Sequence, residues 1–214
     1  YAINCTNNLK EINNAYQKAS FIISYSKNIT NCIKSSFPLL KTKIISVSYS
    51  IDSKKFNLNI KKNNTITYMN RKLPIHSHHL RFFLKNNLPK NWSLNVLNNL
   101  SEKQVFQNME KSKIFLSFSE LEGLPLPPVE AAIAGNVVIG YTGEGGKEYW
   151  KKPIFHEVNS GNILKFLETL LKLIKTVDKK KLKLKLQRNK IIKDFSVSVE
   201  TKNILNLIGN IKSL

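Results

Sequence analysis

Short apolar runs alternate along the chain with longer stretches in which apolar residues recur every three or four positions. Residues 21–26, Phe-Ile-Ile-Ser-Tyr-Ser, read as a buried strand, 27–36 as the helix after it, and 43–49 as a strand of period two. A polar stretch without firm period, 57–64, is the expected linker. Beyond it the spacing predicts strands over 65–69, 92–97, 114–119 and 136–141, with helices over 77–85, 101–111 and 127–134 between them. Parallel strands need crossover connections, so this order predicts an α/β fold with a parallel sheet covered on both faces.

Local signals sharpen some of these boundaries. Ser101 is followed three residues later by Gln104, so hydroxyl and amide can satisfy free N–H groups where a helix begins. From 161 onward the chain reads as mainly helical, with Ile163, Phe166, Leu167, Leu170, Leu171 and Ile174 on one face. Residues 179–185 alternate Lys and Leu, which blurs the helical period there.

Composition narrows the class. At 214 residues and 42% hydrophobic content, a soluble globular protein with a real core is expected. No run reaches the roughly 18–20 apolar residues of a membrane-spanning helix. Residues 1–10 lack the sections of a signal peptide, and a first residue of Tyr suggests a chain that begins inside a longer protein. Cys5 and Cys32 are too few for a disulfide framework or a cysteine-held metal, and read as buried thiols in a reducing cytoplasm.

The net charge of +20 favours phosphate-bearing ligands, anionic lipid or nucleic acid. The excess is mostly scattered Lys, and aromatics interleaved with Arg are scarce, which disfavours a dedicated nucleic-acid role. Residues 172–193 are rich in Lys with Leu and Ile interspersed, a pattern compatible with lying on anionic lipid.

Candidate chemistry concentrates in residues 117–132, Ser-Phe-Ser-Glu-Leu-Glu-Gly-Leu-Pro-Leu-Pro-Pro-Val-Glu-Ala-Ala, where a strand runs through a tight turn into a helix. Ligands of open parallel sheets bind beyond the carboxyl ends of the strands. A helix start with Pro127 or Pro128 in its first turn would offer free N–H groups to a diphosphate. Glu122 and Glu130 would face the same cleft and, as pure acceptors, take hydrogen bonds from hydroxyls. His76, His78 and His79 invite a zinc reading, but no nearby carboxylate or Cys completes a tetrahedral set, so no metal is expected.

The spacing Glu122-x7-Glu130, within Glu-Gly-Leu-Pro-Leu-Pro-Pro-Val-Glu-Ala-Ala and followed by Gly-Asn-Val-Val-Ile-Gly at 135–140 and Gly-Glu-Gly-Gly-Lys-Glu at 143–148, resembles the donor motif of the large retaining GT-B glycosyltransferase family 4. The match is tight over 117–150 and looser back to about residue 19. The resemblance implies a Rossmann-like donor domain over 61–195, the end of a Rossmann-like acceptor-side domain and linker over 1–60, and a C-terminal helix over 196–214. It implies an enzyme that moves a sugar, hexosyl in type, from a UDP- or GDP-linked donor to a glycan or lipid-linked acceptor with retained configuration, with no further cofactor. Such an enzyme would be cytoplasmic, with peripheral contact to the inner face of the cell membrane compatible with it.

By the same resemblance Glu130 holds the ribose hydroxyls, while Glu122 and the Gly123, Leu124 and Pro125 backbone lie against sugar and diphosphate. Pro125 stands where the family has Gly, which removes one N–H. The segment 68–76 resembles the family's first strand-to-loop segment, with Arg71 at the Arg position, Asn70 in place of Gly and His76 in place of Lys. An imidazole of ordinary pKa is mostly uncharged at pH 7, so Lys72 is the favoured second cation. Arg71, Lys72 and the helix start would stabilise the leaving group. The departures at Asn70, His76 and Pro125 leave open a non-catalytic nucleotide-sugar-binding module, and the charge leaves open a basic protein that binds membrane or nucleic acid.

Overall fold

The computed structural model describes residues 8–212, so Cys5 lies outside the described residues. The chain opens with α1 (Leu9–Lys18), β1 (Phe21–Ser24), α2 (Lys27–Ser36) and β2 (Lys43–Ser46). The two strands pair in parallel, Phe21 beside Lys43 and Ser24 beside Ser46. This is the β-α-β unit expected from the sequence, with α1 added ahead of it. Cys32 sits in α2 and is half-buried rather than buried, its Sγ 3.8 Å from Asn28 Oδ1.

The second unit follows as β3 (Asn63–Tyr68), α3 (Pro74–Leu84), β4 (Ser93–Val96), α4 (Glu102–Lys111), β5 (Ser112–Glu122), α5 (Leu126–Ile133), β6 (Val137–Glu144), β7 (Phe155–Glu157), α6 (Ile163–Thr176), α7 (Lys181–Asp194) and α8 (Val197–Lys212). Its five strands form one parallel sheet in the order β4-β3-β5-β6-β7. Helices cover both faces, as expected. Along β5, Phe115 enters a core with Phe106, Met109 and Val129, while Ile114 and Leu116 enter a second core with Leu80, Ile139 and Phe166. That alternation, with both sets buried, is why residues 114–116 are apolar without a break.

The helix boundaries have visible causes. Ser101 Oγ accepts from the Gln104 amide N–H at 3.4 Å and Gln104 Oε1 accepts from Ser101 N–H at 2.9 Å, so the reciprocal cap expected from sequence is formed. Ser101→Ala should cost about 1 kcal/mol in urea unfolding, with an unchanged slope. Helix α3 starts at Pro74, three residues before the expected start, because the ring already holds the dihedral that a first helical residue needs. Residues 181–194 form a helix despite the Lys-Leu alternation. Strand β7 was not marked in the sequence.

Two sets of contacts join the ends of the units. Ile51 and Phe56, in the stretch read as domain end and linker, are buried in the core of the second unit, with Phe56 4.5 Å from the Phe106 ring. Helix α8 returns to the first unit: Asn203 Oδ1 accepts from Ser48 N–H and Oγ at 2.9 and 2.8 Å, and Glu200 accepts from Ser50. The lysine-rich stretch 172–193 is not one amphipathic helix. It breaks at a 3-10 turn over Val177–Lys180, and the apolar face of α6 (Phe166, Leu170, Leu173, Ile174) is buried in the protein. No helix among the described residues is long and apolar enough to cross a membrane.

Candidate functional site

The site forms where β3 and β5 end and α3 and α5 begin. Leaving β3, the chain passes Met69, Asn70, Arg71 and Lys72 and turns into α3 through Leu73, whose φ of 47° is left-handed. Leu73 caps the helix with no side-chain hydrogen bond, and Pro74 has no N–H, so the amide of Ile75 is the first donor α3 presents. Arg71, Lys72, Leu73, Pro74, Ile75 and His76 line one wall of a cleft of about 630 Å³, closed on the other side by Glu120 and Leu121.

Glu122 stands across from these cations. Lys72 Nζ lies 3.0 Å from Glu122 Oε1, an ion pair joining the β3 loop to the end of β5. Arg71 is exposed and makes no ion pair among the described residues. The two cations named from sequence are thus in one place, but only Arg71 carries uncompensated charge. His76 Nδ1 lies 3.2 Å from the hydroxyl of Tyr141, a buried residue of β6, so its ring reaches inward from the cleft wall.

Glu130 is carried on α5, eight residues after Glu122, which ends β5. Burial, helped by the nearby Glu102 carboxylate, pushes its carboxyl up to about 7, while the Lys55 and Arg71 charges pull the other way. Arg71 therefore acts electrostatically on Glu130 as well as lining the cleft with Lys72 and Glu122. The start of α5 is poor in backbone donors. The helix begins at Leu126 with Pro125 as cap, and Pro125, Pro127 and Pro128 all lack an N–H, so few amides are free for a phosphate. The starts of both α3 and α5 adjoin Arg71 and Lys72: Pro74 and Ile75 line one cavity with them, and Pro127 and Pro128 another that also holds Glu122.

The turn of Gly123, Leu124 and Pro125 is held by contacts the sequence did not reveal. Tyr149 donates its hydroxyl to the Pro125 carbonyl at 2.6 Å. Burial, reinforced by the Glu122 charge, raises the Tyr149 phenol well above its ordinary value and keeps that donor protonated. Gly145 presses on the Gly123 carbonyl so closely that a Cβ there would overlap it, and a Cβ on Gly123 would strike Ile29 of α2. Glycine is needed at Gly145 for backbone approach, whereas at Gly123 the obstacle is the end of the Ile29 side chain. Glu148 accepts from the Asn28 N–H at 3.1 Å, so the second glycine turn also touches the first unit. An aromatic 27 residues past Glu122 offered no local period by which to find it.

No family model matches the chain, and no curated protein matches it in sequence. Solved structures match in shape. The GtfA/B complex aligns at a TM-score of 0.73 and 14% identity, covering 98% of this chain and 49% of that one. The pneumococcal O-GlcNAc transferase GtfA, in complex with UDP and GlcNAc, aligns at 0.63 and 16%, covering 98% and 50%. Anabaena HepE in complex with UDP-glucose aligns at 0.73 and 14%, covering 97% and 69%. The chain spans about half the length of the first two, and it has the α/β fold found in GT-B retaining glycosyltransferases.

Proposed function

We propose that the chain is the donor-binding half of a glycosyltransferase that takes a sugar from a nucleotide-linked donor, with UDP the leading nucleotide. The observation that carries it is the gathering of Arg71, Lys72, Glu122 and the Pro127 and Pro128 start of α5 around one cavity at the carboxyl ends of β3 and β5, with Lys72 paired to Glu122 at 3.0 Å. Proteins of the same fold whose structures hold UDP with GlcNAc, or UDP-glucose, support the choice of nucleotide. A hexosyl group, a glycan or lipid-linked acceptor and retained configuration rest on the motif resemblance alone.

The diphosphate lies against the Arg71 guanidinium and the Ile75 amide, which together present a fork of donors and the positive end of a helix. Lys72 then exchanges Glu122 for a phosphate oxygen. An ion pair this exposed is worth about 0.2–1 kcal/mol, whereas each hydrogen bond to a charged group contributes about 1.5–3 kcal/mol, so the exchange is favourable. Once released, Glu122 accepts from sugar hydroxyls. Glu130 accepts from the ribose. As the glycosidic bond breaks, charge grows on the diphosphate, and Arg71 and Lys72 stabilise it where it grows.

UDP-glucose and other nucleotide sugars should raise the melting temperature of the chain by several degrees at concentrations well above Kd. In the full-length protein, Glu122→Ala should abolish transfer while leaving UDP itself bound. Absence of a shift with every nucleotide sugar and free nucleotide would sink the reading, and donor binding without transfer by the full-length protein would reduce it to a binding module.

A further inference from the structure

The amino ends of the same strands, at the far side of the sheet from the cleft, carry a second concentration of positive charge. Lys61 and Lys62 before β3, Lys113 at the start of β5, and Lys185 and Arg188 on α7 line a cavity of about 520 Å³, with Asp178 the one carboxylate among them. That volume is in the range of small-molecule pockets.

Two of the five cations are already satisfied. Lys62 Nζ donates to the carbonyls of Met109, Glu110 and Ser112 at 3.2, 3.1 and 2.8 Å, closing the end of α4. Lys113 Nζ reaches Asp178 and Asn64, each at 2.7 Å. Lys61 and Lys185 remain at the mouth, both exposed. Arg188 is half-buried, its Nε is enclosed, and that N–H meets no acceptor. No carboxylate among the described residues pairs with its guanidinium. The end of α5 lies beside it, with Gly135 so close that a Cβ would sit 3.1 Å from Nη1, yet Arg188 donates to none of that helix's carbonyls.

A second orphan lies in the same wall. Asn136 is 1% exposed, and its Nδ2 donates to Met109 O, Ser112 O and Ser112 Oγ, which fixes which end of the amide is which. Its Oδ1 accepts from nothing. Leaving a guanidinium N–H and an amide oxygen buried and unpaired costs about 1–3 kcal/mol each. Such a cost is retained where a ligand removes it. Burial, reinforced by the Arg188 charge and opposed by Glu110, pushes the Lys62 ammonium down to about 7.

We infer that this cavity binds a small phosphomonoester bearing a free hydroxyl, its phosphate on the Arg188 fork with Lys61 and Lys185 closing over it, its hydroxyl donating to Asn136 Oδ1. The planar guanidinium suits a tetrahedral oxyanion, which can accept from two N–H groups at once. The site is distinct from the donor cleft and does not depend on the donor reading.

The test uses the 214-residue chain carrying Arg71→Gln, so that phosphate cannot report from the donor cleft. Arg81 and Arg188 are then its only arginines. Glycerol 3-phosphate is titrated against their side-chain Nε–H signals, the Arg188 signal being the one lost in Arg188→Gln. The expected result is a saturable shift of the Arg188 signal, weakened about tenfold by Lys185→Glu, a change at an exposed position that leaves the fold intact even if Arg188→Gln does not. Inorganic phosphate should bind more weakly, lacking the hydroxyl. An Arg188 signal unmoved up to about 10 mM ester overturns the proposal. So does a signal that moves with phosphatidic acid vesicles or an oligonucleotide but not with the small ester.

Discussion

Arg71→Gln should lower kcat/KM of the full-length enzyme by about 100- to 1,000-fold while leaving the melting temperature of the unliganded protein nearly unchanged. The side chain is exposed and supports no packing, so its removal costs the fold little. It is also the one cation of the cleft not neutralised in the unliganded protein, since Lys72 is held by Glu122 at 3.0 Å. The leaving diphosphate therefore depends on it more than on Lys72. Lys72→Gln should accordingly cost less, because it also frees Glu122 from its partner. Steady-state kinetics of both variants with UDP-glucose give the comparison. Equal losses would mean that the ion pair opens at no cost, and a negligible loss for Arg71→Gln would remove the diphosphate from this loop.

Glu130→Gln should stabilise the unliganded protein by on the order of 1–3 kcal/mol at pH 8 and weaken donor binding in the same experiment. The sign follows from burial. The carboxyl sits at about 7 in the folded chain against an ordinary value of 4.5, so the folded state holds the proton more tightly than the unfolded one. Its contribution to stability is complete below pH 4.5 and is lost as pH rises through 7. Lys62 runs the other way: held down to about 7 against an ordinary 10.5, its penalty is complete below 7 and relieved as pH climbs toward 10.5. Together the two groups give the parent protein a stability minimum near neutrality. Urea melts between pH 5 and 9 should show the acid side of that minimum vanish in Glu130→Gln, and a persisting slope would place the titration elsewhere. Donor affinity should rise across the same interval, because ribose hydroxyls hydrogen-bond best to the ionised carboxylate.

Much of the five-stranded sheet was legible because its signals are local. The reciprocal cap at Ser101 and Gln104, the proline at the head of α5 and the apolar residues 114–116 of β5 each lie within a dozen residues. Strand β7 has three residues, too few to display a period of two. The Lys-Leu alternation of 179–185 imitates a strand, and α7 forms because Leu184 and Ile191 reach the core from one of its sides. In the site, the residue types could be named in advance, but their pairing could not. Lys72 and Glu122 are fifty positions apart, and nothing short of the fold shows that the lysine is held by the carboxylate it was expected to work beside. Nor does the sequence show how many amides each helix start leaves free: α5 loses donors at Pro125, Pro127 and Pro128, and α3 loses one at Pro74.

The chain passes between its two units twice, once near residue 51 and again near residue 195, and the two passages are tied by a hydrogen bond of 2.9 Å from the Ile51 N–H to the Phe195 carbonyl. Two crossings joined at one point act as the pin of a door. Separate tethers would let the units slide and twist, whereas adjacent ones leave swinging about that point as the cheapest motion. With Glu148 and Ile29 meeting Asn28 and Gly123 at the far edge, the second glycine turn is the latch side of the door, and a swing that parts these contacts opens the space above the Gly123 turn without disturbing either sheet.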